Sequence, residues 1–190
     1  MQKLIIATHN KGKLKEFKKM FESRYEVYSL PYNGYDGDVE ETGSTYLENA
    51  LLKAKAVFEA TGVTCIADDS GLSVTALNGE PGLYSARYGG EETPQRVKNQ
   101  MIIDRLKDSQ DRSAKFVCTL VLYGKDGIIA TGVGEVLGEI LFKEEGTGGV
   151  GYDPIFYSTE LKKSFGVASE EEKNSVSHRA RAIADLLSKL

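Results

Sequence analysis

The stretch Thr45–Asp69 constrains the fold most, because a helical pattern is followed there at once by a strand pattern. The Thr45-x-x-Glu48 spacing is typical of a capping box, and the helix that it opens should end at Gly62. Val63–Ala67 is then an apolar run typical of a short buried strand that ends at Asp68-Asp69. The apolar residues at helical spacing are Leu47, Ala50, Leu51, Ala54, Val57 and Phe58. A helix followed directly by a buried strand favours an α/β protein.

The same two patterns alternate along the rest of the chain. The other predicted strands are Leu4–Ala7, Tyr25–Leu30, Lys115–Tyr123, Ile128–Leu137 and a short one beginning at Pro154. The other predicted helices start near Leu14, at Thr93-Pro94 as N-cap and first residue, and before a C-terminal face of Ala180, Ile183, Ala184 and Leu187. The turn Gly124–Gly127 predicts an antiparallel hairpin, so we expect a mixed sheet.

Size, charge and cysteine content exclude several classes of protein. With 190 residues, the chain is expected to form one domain spanning residues 1–190. A net charge of -4 argues against a dedicated nucleic-acid binder. Leu4–Ala7 is too short an apolar run for a signal peptide or a membrane span. Cys65 and Cys118 lie in apolar stretches and are predicted to be buried thiols of a reducing compartment, with a disulfide left open. A cytoplasmic protein without membrane contact is expected.

A polar turn after the first strand is a candidate phosphate site. Its residues are Thr8, His9, Asn10, Lys11, Gly12 and Lys13. Backbone N–H groups at a helix start, together with two lysines, suit a phosphate chain. The turn lacks the spacing of a P-loop, and a solvated turn with surface lysines is the alternative.

Two acidic pairs are candidates for a metal site. Glu40-Glu41 lies on a loop, with Lys53 on the helix that follows, and a solvated loop is the alternative for this pair. Asp68-Asp69 follows an apolar strand, where adjacent acids repel unless a cation or basic group offsets them. Turn formation at Asp68–Gly71 is the alternative there. Mg²⁺ prefers a few carboxylates plus water and phosphate, and Glu40 with Asp69 would supply such a pair.

A fourth cluster joins a glycine-rich loop, Gly148–Pro154, to the segment Lys173–Arg179. An aromatic residue beside glycines offers a stacking face, and Lys173, His178 and Arg179 offer donors to carbonyl or phosphate oxygens. A capped helix with an exposed first turn is the alternative for the second segment.

Taken in order, these motifs closely resemble the inosine triphosphate pyrophosphatase family over nearly the whole chain. They are Ala7–Asn10 with Lys13, Glu40–Gly43 with Glu48–Ala50 and Lys53, Ala67–Leu72, Pro81–Tyr88, Gly151–Pro154 and Glu172–Arg179. The resemblance implies a hydrolase that converts ITP, dITP or XTP to the monophosphate and pyrophosphate. It also implies an elongated mixed α/β sheet flanked by helices, with two lobes around a central cleft, and a homodimer.

The resemblance also implies a role for individual residues. Thr8, Asn10 and Lys13 correspond to the family's phosphate-binding turn, and Lys53 corresponds to its helix lysine near the triphosphate. Glu40 and Asp69 correspond to its Mg²⁺ ligands. Asp69 corresponds to the family's proton acceptor, although a metal-bound carboxylate is a poor base, so Asp68 or Glu41 would orient the water instead. Substrate contacts are implied for Ser70, Val150, Gly151, Tyr152, Asp153, Lys173, His178 and Arg179.

Two positions depart from the family pattern. His9 stands where glycine is common, and its side chain is expected to point to solvent. Val150 stands where many members have phenylalanine, so Tyr152 must provide most of the base stacking or the base is held otherwise. A pyrophosphatase of modified or pyrimidine nucleotides and a non-catalytic nucleotide-binding module are the alternative functions.

Overall fold

The computed structural model describes residues 1–190 as seven strands and five α-helices. The strands are β1 (Gln2–Ile6), β2 (Tyr25–Ser29), β3 (Cys65–Val74), β4 (Ser113–Gly124), β5 (Gly127–Ile140), β6 (Phe156–Ser158) and β7 (Lys163–Ser164). The helices are α1 (Lys11–Phe21), α2 (Tyr46–Thr61), α3 (Gln95–Arg105), α4 (Glu170–Val176) and α5 (His178–Leu187).

The strands form a seven-stranded mixed sheet in the order β2-β1-β3-β4-β5-β6-β7. β1 pairs in parallel with β2, with Leu4 opposite Val27, and with β3, with Ile5 opposite Cys65. β5 pairs antiparallel with β6, and β6 with β7. The expected mixed α/β sheet flanked by helices is therefore confirmed.

β1 lies between two parallel partners that the chain reaches in opposite directions. The helix α1 connects β1 to β2 on one side, and α2 connects β2 to β3 on the other. Because such crossovers are right-handed, α1 and α2 lie on opposite faces of the sheet. The carboxyl end of β1 is thus a switch point of strand order, the place where open α/β sheets bind ligands.

Several predicted elements agree closely with the structure. The second helix spans Tyr46–Thr61, and Gly62 ends it in a left-handed conformation with φ of 68°. The hairpin is also confirmed, because β4 and β5 are joined by two residues, Lys125 and Asp126. The capping box is only half formed: Thr45 accepts from the Glu48 amide, whereas the Glu48 carboxylate accepts from Ser44.

Two predicted boundaries and one predicted buried face are wrong. β3 does not end before Asp68 but continues to Val74, because both acids find partners on neighbouring helices. α3 begins at Gln95 rather than Pro94, since the Thr93 hydroxyl donates to the Gly89 carbonyl instead of capping the helix. The C-terminal helix is rotated from the predicted face: Ala182, Ile183 and Leu186 are buried, and Ala184 is exposed.

The chain divides into two compact units. Unit 1 comprises Met1–Asp69, Thr119–Val133 and Ile183–Leu190, and unit 2 comprises Ser70–Cys118 and Gly134–Ala182. The core of unit 1 packs α2 through Ala50, Ala54 and Val57 against β1 and β3. The core of unit 2 contains Phe116, Phe156 and Phe165, with the first two ring centroids 4.4 Å apart.

Cys65 and Cys118 are free, buried thiols, so the disulfide left open by the sequence is absent. Burial raises the pKa of the Cys65 thiol to about 12, which makes it a poor nucleophile. None of the helices is both long and apolar enough to cross a bilayer.

Gly134 sets the approach of α5 to β5 within unit 2. A Cβ there would collide with the backbone carbonyl of His178 and the backbone amide of Ala182, neither of which is free to move away. We expect Gly134→Ala to lower the unfolding free energy by about 1–3 kcal/mol, as overpacking does. The change in unfolding free energy is measured by urea unfolding. Gly124→Ala is the matched strand control, because its Cβ meets first the flexible end of Ile129. Equal losses in the two variants would contradict this account.

Candidate active site

The predicted phosphate turn leads directly into α1. The Asn10 side chain caps the helix by accepting a hydrogen bond from the Lys13 amide at 3.0 Å, and Thr8 Oγ1 accepts from the Asn10 amide at 3.1 Å. His9, Asn10 and Lys11 are exposed, as expected for His9. First-turn amides of a helix have no intrahelical partner, so this turn presents N–H groups together with the positive end of the helix dipole.

The Asp68 carboxylate is held by a lysine of α1. Asp68 is 2% exposed, and its Oδ2 accepts from Lys13 Nζ at 3.0 Å. The Lys13 side chain keeps 21% of its surface accessible, so this pair connects a buried anion to the phosphate turn. A buried carboxylate needs such a partner, because desolvation without one is costly.

The Asp69 carboxylate points to the opposite face of β3, toward α2. Successive strand residues alternate faces, and Asp69 Oδ2 accepts from Asn49 Nδ2 at 3.0 Å. Burial raises the pKa of the Asp69 carboxyl to about 6; Lys53 and the Asn49 hydrogen bond lower it, whereas Glu41 and Asp68 raise it. This carboxyl therefore carries its charge at neutral pH but at a cost in free energy.

The acidic loop before α2 lies beside the same helix. Glu41 Oε1 accepts from Lys53 Nζ at 3.4 Å, and both side chains are partly buried. Glu40 is exposed. The Gly43 amide donates to Asn49 Oδ1 at 2.7 Å, so Asn49 contacts both the loop and Asp69. Unit 1 thus brings together the predicted residues Lys13, Glu41, Lys53, Asp68 and Asp69.

This arrangement has the charge pattern of a site for a polyanion bound with a cation. Lysine ammoniums offset phosphate charge, and a buried carboxylate whose pKa is raised by neighbouring carboxylates, as that of Asp69 is, favours a divalent cation. No group of three or more His, Cys, Asp and Glu side chains in the chain is arranged to hold a metal ion. Mg²⁺ fits the carboxylates that are present, since it usually takes one or two of them and draws further ligands from water and phosphate.

In unit 2, the glycine-rich loop is closed around Asp153. Asp153 is 2% exposed, and its Oδ2 accepts from Lys173 Nζ at 2.5 Å and from the Val150 amide at 2.6 Å. Burial raises the pKa of Asp153, while Lys173 and Arg179 oppose that rise. A Cβ at Gly149 would collide with the Asp153 side chain, which explains the glycine there. The loop conformation therefore depends on Asp153.

Tyr152 does not present an open stacking face, which favours the alternative that the base is held otherwise. The residue is 6% exposed, its ring belongs to the core of unit 2, and its hydroxyl donates to the Ser85 carbonyl at 2.5 Å. Burial raises its pKa above the ordinary value. The neighbouring Val150 and Gly151 are partly buried. The aromatic ring thus anchors the loop to the segment Gly82–Arg87.

His178 and Arg179 form a buried pair at the start of α5. The His178 ring stacks on Phe116, with centroids 4.8 Å apart and an interplanar angle of 15°. Arg179 Nη1 lies 2.9 Å from His178 Nε2. A guanidinium only donates, so Nε2 accepts and the imidazole is neutral, with its proton on Nδ1. The imidazole plane is therefore fixed by both stacking and hydrogen bonding.

Two residues of these sites were not among the predicted site residues. Asn49 is fully buried in the apolar face of α2, and a polar residue in that register was the available signal. Ser85 accepts from the Leu72 amide at 3.0 Å and from Tyr152 through its carbonyl, contacts that no sequence spacing indicates. Ser70 follows Asp69 on β3 and is partly buried.

The fold is similar to three solved structures. The Staphylococcus aureus Ham1 protein superimposes with a TM-score of 0.87 at 44% identity, covering 99% of this chain and 96% of that one. A HAM1 protein from Coxiella burnetii has a TM-score of 0.85 at 35% identity, with 99% and 98% covered. The Mycobacterium abscessus nucleoside-triphosphatase / dITP/XTP pyrophosphatase has a TM-score of 0.73 at 37% identity, with 98% and 99% covered.

The sequence comparisons agree with the structural ones. The dITP/XTP pyrophosphatase of Staphylococcus aureus strain MW2 is 45% identical over 183 residues, covering 96% of this chain and 93% of the relative. That of Bacillus subtilis strain 168 is 44% identical over 189 residues, covering 98% and 96%. The sequence model of the Ham1 family matches residues 4–189. The resemblance drawn from the six motifs is thereby confirmed, and the chain belongs to the Ham1 family.

Proposed function

We propose that the protein hydrolyses non-standard purine nucleoside triphosphates, namely dITP, ITP and XTP, to the monophosphate and pyrophosphate. The observation that carries the proposal is the cluster in unit 1, where Lys13 and Lys53 stand beside Asp68, Asp69 and Glu41. The relatives at 44–45% identity, named dITP/XTP pyrophosphatases, support the substrate class.

The reaction needs positioning and charge neutralisation more than covalent chemistry. Water attacks the α-phosphorus, the bond to the bridging oxygen breaks, and pyrophosphate leaves with the electron pair. Lys13, Lys53 and the first-turn amides of α1 offset the charge that grows on the leaving group. Asp68 or Glu41 orients the water, and Asp69 is the proton acceptor by analogy with the family.

Mg²⁺ is the cofactor that fits this donor set. Glu40 and Asp69 would hold it, and it would supply Lewis-acid stabilisation of the phosphoryl oxygens. The support comes from the buried Asp69 carboxyl, whose pKa is raised by burial and by the neighbouring carboxylates of Glu41 and Asp68. A divalent cation favours the ionised form of such a group. Glu40 is exposed, which leaves its carboxylate accessible to a cation that arrives with the nucleotide.

The candidate residues for base recognition are donors in unit 2. Lys173, His178 and Arg179 are each less than 5% exposed, and Asp153 holds Lys173 in place. Hypoxanthine and xanthine carry a 6-oxo acceptor, which suits buried donors, whereas the 6-amino group of adenine leaves them unpaired.

We also propose a homodimer, from the family resemblance alone, and a cytoplasmic location, which the two free cysteines support.

A panel of triphosphates with product identification tests the proposal. We expect pyrophosphate from dITP, ITP and XTP in the presence of Mg²⁺, at about 10²-fold or more the kcat/KM for ATP, because buried donors reject the amino group. Equal rates on ITP and ATP would remove the selectivity claim. Preference for pyrimidine or other modified nucleotides would favour the first alternative, orthophosphate as product would indicate a phosphatase, and binding without turnover would indicate a non-catalytic module.

Removing the Asp69 charge should abolish catalysis. We expect Asp69→Asn to lower kcat by about 10²–10³-fold or more, because it weakens the metal site and removes the proton acceptor. The measurement is the initial rate of pyrophosphate release at saturating dITP. Asp126→Asn, in the exposed turn between β4 and β5, is the control and should leave the rate unchanged. A variant at Asp69 that retains most of its activity would refute the assigned role.

The same substitution should stabilise the fold at neutral pH. The folded-state pKa of Asp69 is about 6, above the ordinary 3.8, so ionisation opposes folding increasingly from pH 4 to 6 and fully above pH 6. We expect Asp69→Asn to gain about 1–3 kcal/mol of unfolding free energy at pH 8 and little at pH 4. Urea unfolding at both values measures the gain, with Asp126→Asn as control. A loss of stability at pH 8 would contradict this reasoning.

A further inference from the structure

Asn49 is a fully buried polar residue in the first turn of α2. It has 0% exposure and lies on the same face as the core residues Ala50, Ala54 and Val57. Burying a primary amide among apolar groups is costly unless both its oxygen and its nitrogen are hydrogen-bonded. The position therefore requires two specific partners.

The two ends of the amide contact two different elements. Asn49 Oδ1 accepts from the Gly43 amide at 2.7 Å, and Asn49 Nδ2 donates to Asp69 Oδ2 at 3.0 Å. The orientation of the amide is determined by its partners, because a backbone N–H only donates and an ionised carboxylate only accepts. A flipped amide would face both partners with the wrong group. The side chain therefore bridges the loop and β3 in one orientation.

The loop that Asn49 holds is the one that carries the acidic pair Glu40-Glu41. Two further α2 contacts lie along it: Glu48 Oε2 accepts from the Ser44 amide at 2.6 Å, and Lys53 pairs with Glu41 at 3.4 Å. Gly43 lies so close to the helix that a Cβ would be 2.7 Å from both Asn49 Oδ1 and Glu48 Cβ. The loop is thus seated on the start of α2.

We propose that Asn49 is a positioning residue that fixes the separation between Asp69 and the Glu40-Glu41 loop, so that both face one Mg²⁺–triphosphate. This inference rests on the proposed function. A bridge of this kind acts on the geometry of the carboxylates and leaves the lysines that hold the phosphates in place. It should therefore govern turnover and metal-dependent binding more than metal-free nucleotide binding.

A purely structural role makes a different prediction. If Asn49 only satisfied its own burial, an apolar residue of similar shape would keep the helix packed and leave the rate nearly unchanged. Asn49→Leu removes both hydrogen bonds and keeps the branched shape of the side chain at Cγ. Its matched control is Asn99→Leu in α3, since Asn99 is 2% exposed, donates to Glu144 at 3.1 Å and accepts from Gln95 at 2.9 Å.

The kinetic experiment compares these two variants with the wild type on dITP. We expect Asn49→Leu to lower kcat by about 10–100-fold, the usual range for a lost hydrogen bond to a charged group. Asn99→Leu should keep kcat close to that of the wild type at a comparable loss of stability in urea. Equal kcat losses in both variants, or an unchanged kcat in Asn49→Leu, would overturn the proposal.

Gly43→Ala tests the same bridge from its other end. Its Cβ displaces the loop from Asn49 without altering any acid or lysine, so we expect a kcat loss in the same range even if Asn49→Leu folds poorly. An unchanged kcat in Gly43→Ala would count against the bridge.

Binding supplies a readout that does not depend on turnover. Calorimetry with the α,β-methylene analogue of ITP should show that Mg²⁺ tightens binding to the wild type and that this gain is lost in Asn49→Leu, whereas binding in EDTA is equal. If Asn49→Leu retained the Mg²⁺-dependent gain in binding, the positioning role of Asn49 would be overturned and the proposed function would stand. A wild type that neither cleaves dITP nor binds the analogue would overturn the proposed function as well.

Discussion

The adjacent carboxylates of Asp68 and Asp69 are the constraint on which the phosphate end of the proposed site depends. They occupy consecutive positions of a central parallel strand, so their side chains point to opposite faces of the sheet. Each face carries the helix of a different crossover, and each helix supplies one partner, Lys13 from α1 and Asn49 from α2. The reversal of strand order around β1 is what makes two such partners available to one dipeptide.

The residues of this region were largely predictable from the sequence, whereas their connections were not. Local signals sufficed for α2, because Thr45 and Gly62 mark its ends within one segment. The continuation of β3 through Asp68–Gly71 was missed, because its composition is that of a turn and the contacts that keep it extended come from residues 20 and 55 positions away. Sequence patterns indicate the spacing of apolar residues and the caps of helices, but they do not identify partners that lie far away in the sequence.

The candidate base-recognition residues of unit 2 show the same limit for an aromatic residue. Next to glycines, Tyr152 has the appearance of a stacking platform, yet its hydroxyl reaches the Ser85 carbonyl across 67 positions and its ring is part of the core. A tyrosine with a distant backbone acceptor becomes an anchor because its polar end is satisfied inside the protein. The predicted donors Lys173, His178 and Arg179 lie close together in the sequence, but their burial depends on Asp153, Phe116 and the close approach of α5 at Gly134.

That burial bears on how selectivity would arise without an aromatic platform at Val150. In an exposed site, a donor facing the adenine amino group would turn to water at little cost, and discrimination would be weak. Lys173, His178 and Arg179 are each at least 95% buried and are oriented by contacts within the protein, so a mismatched base would leave desolvated donors unsatisfied. The wrong base is then rejected because it leaves a hydrogen bond unmade. This mode of rejection does not require strong stacking of the correct base.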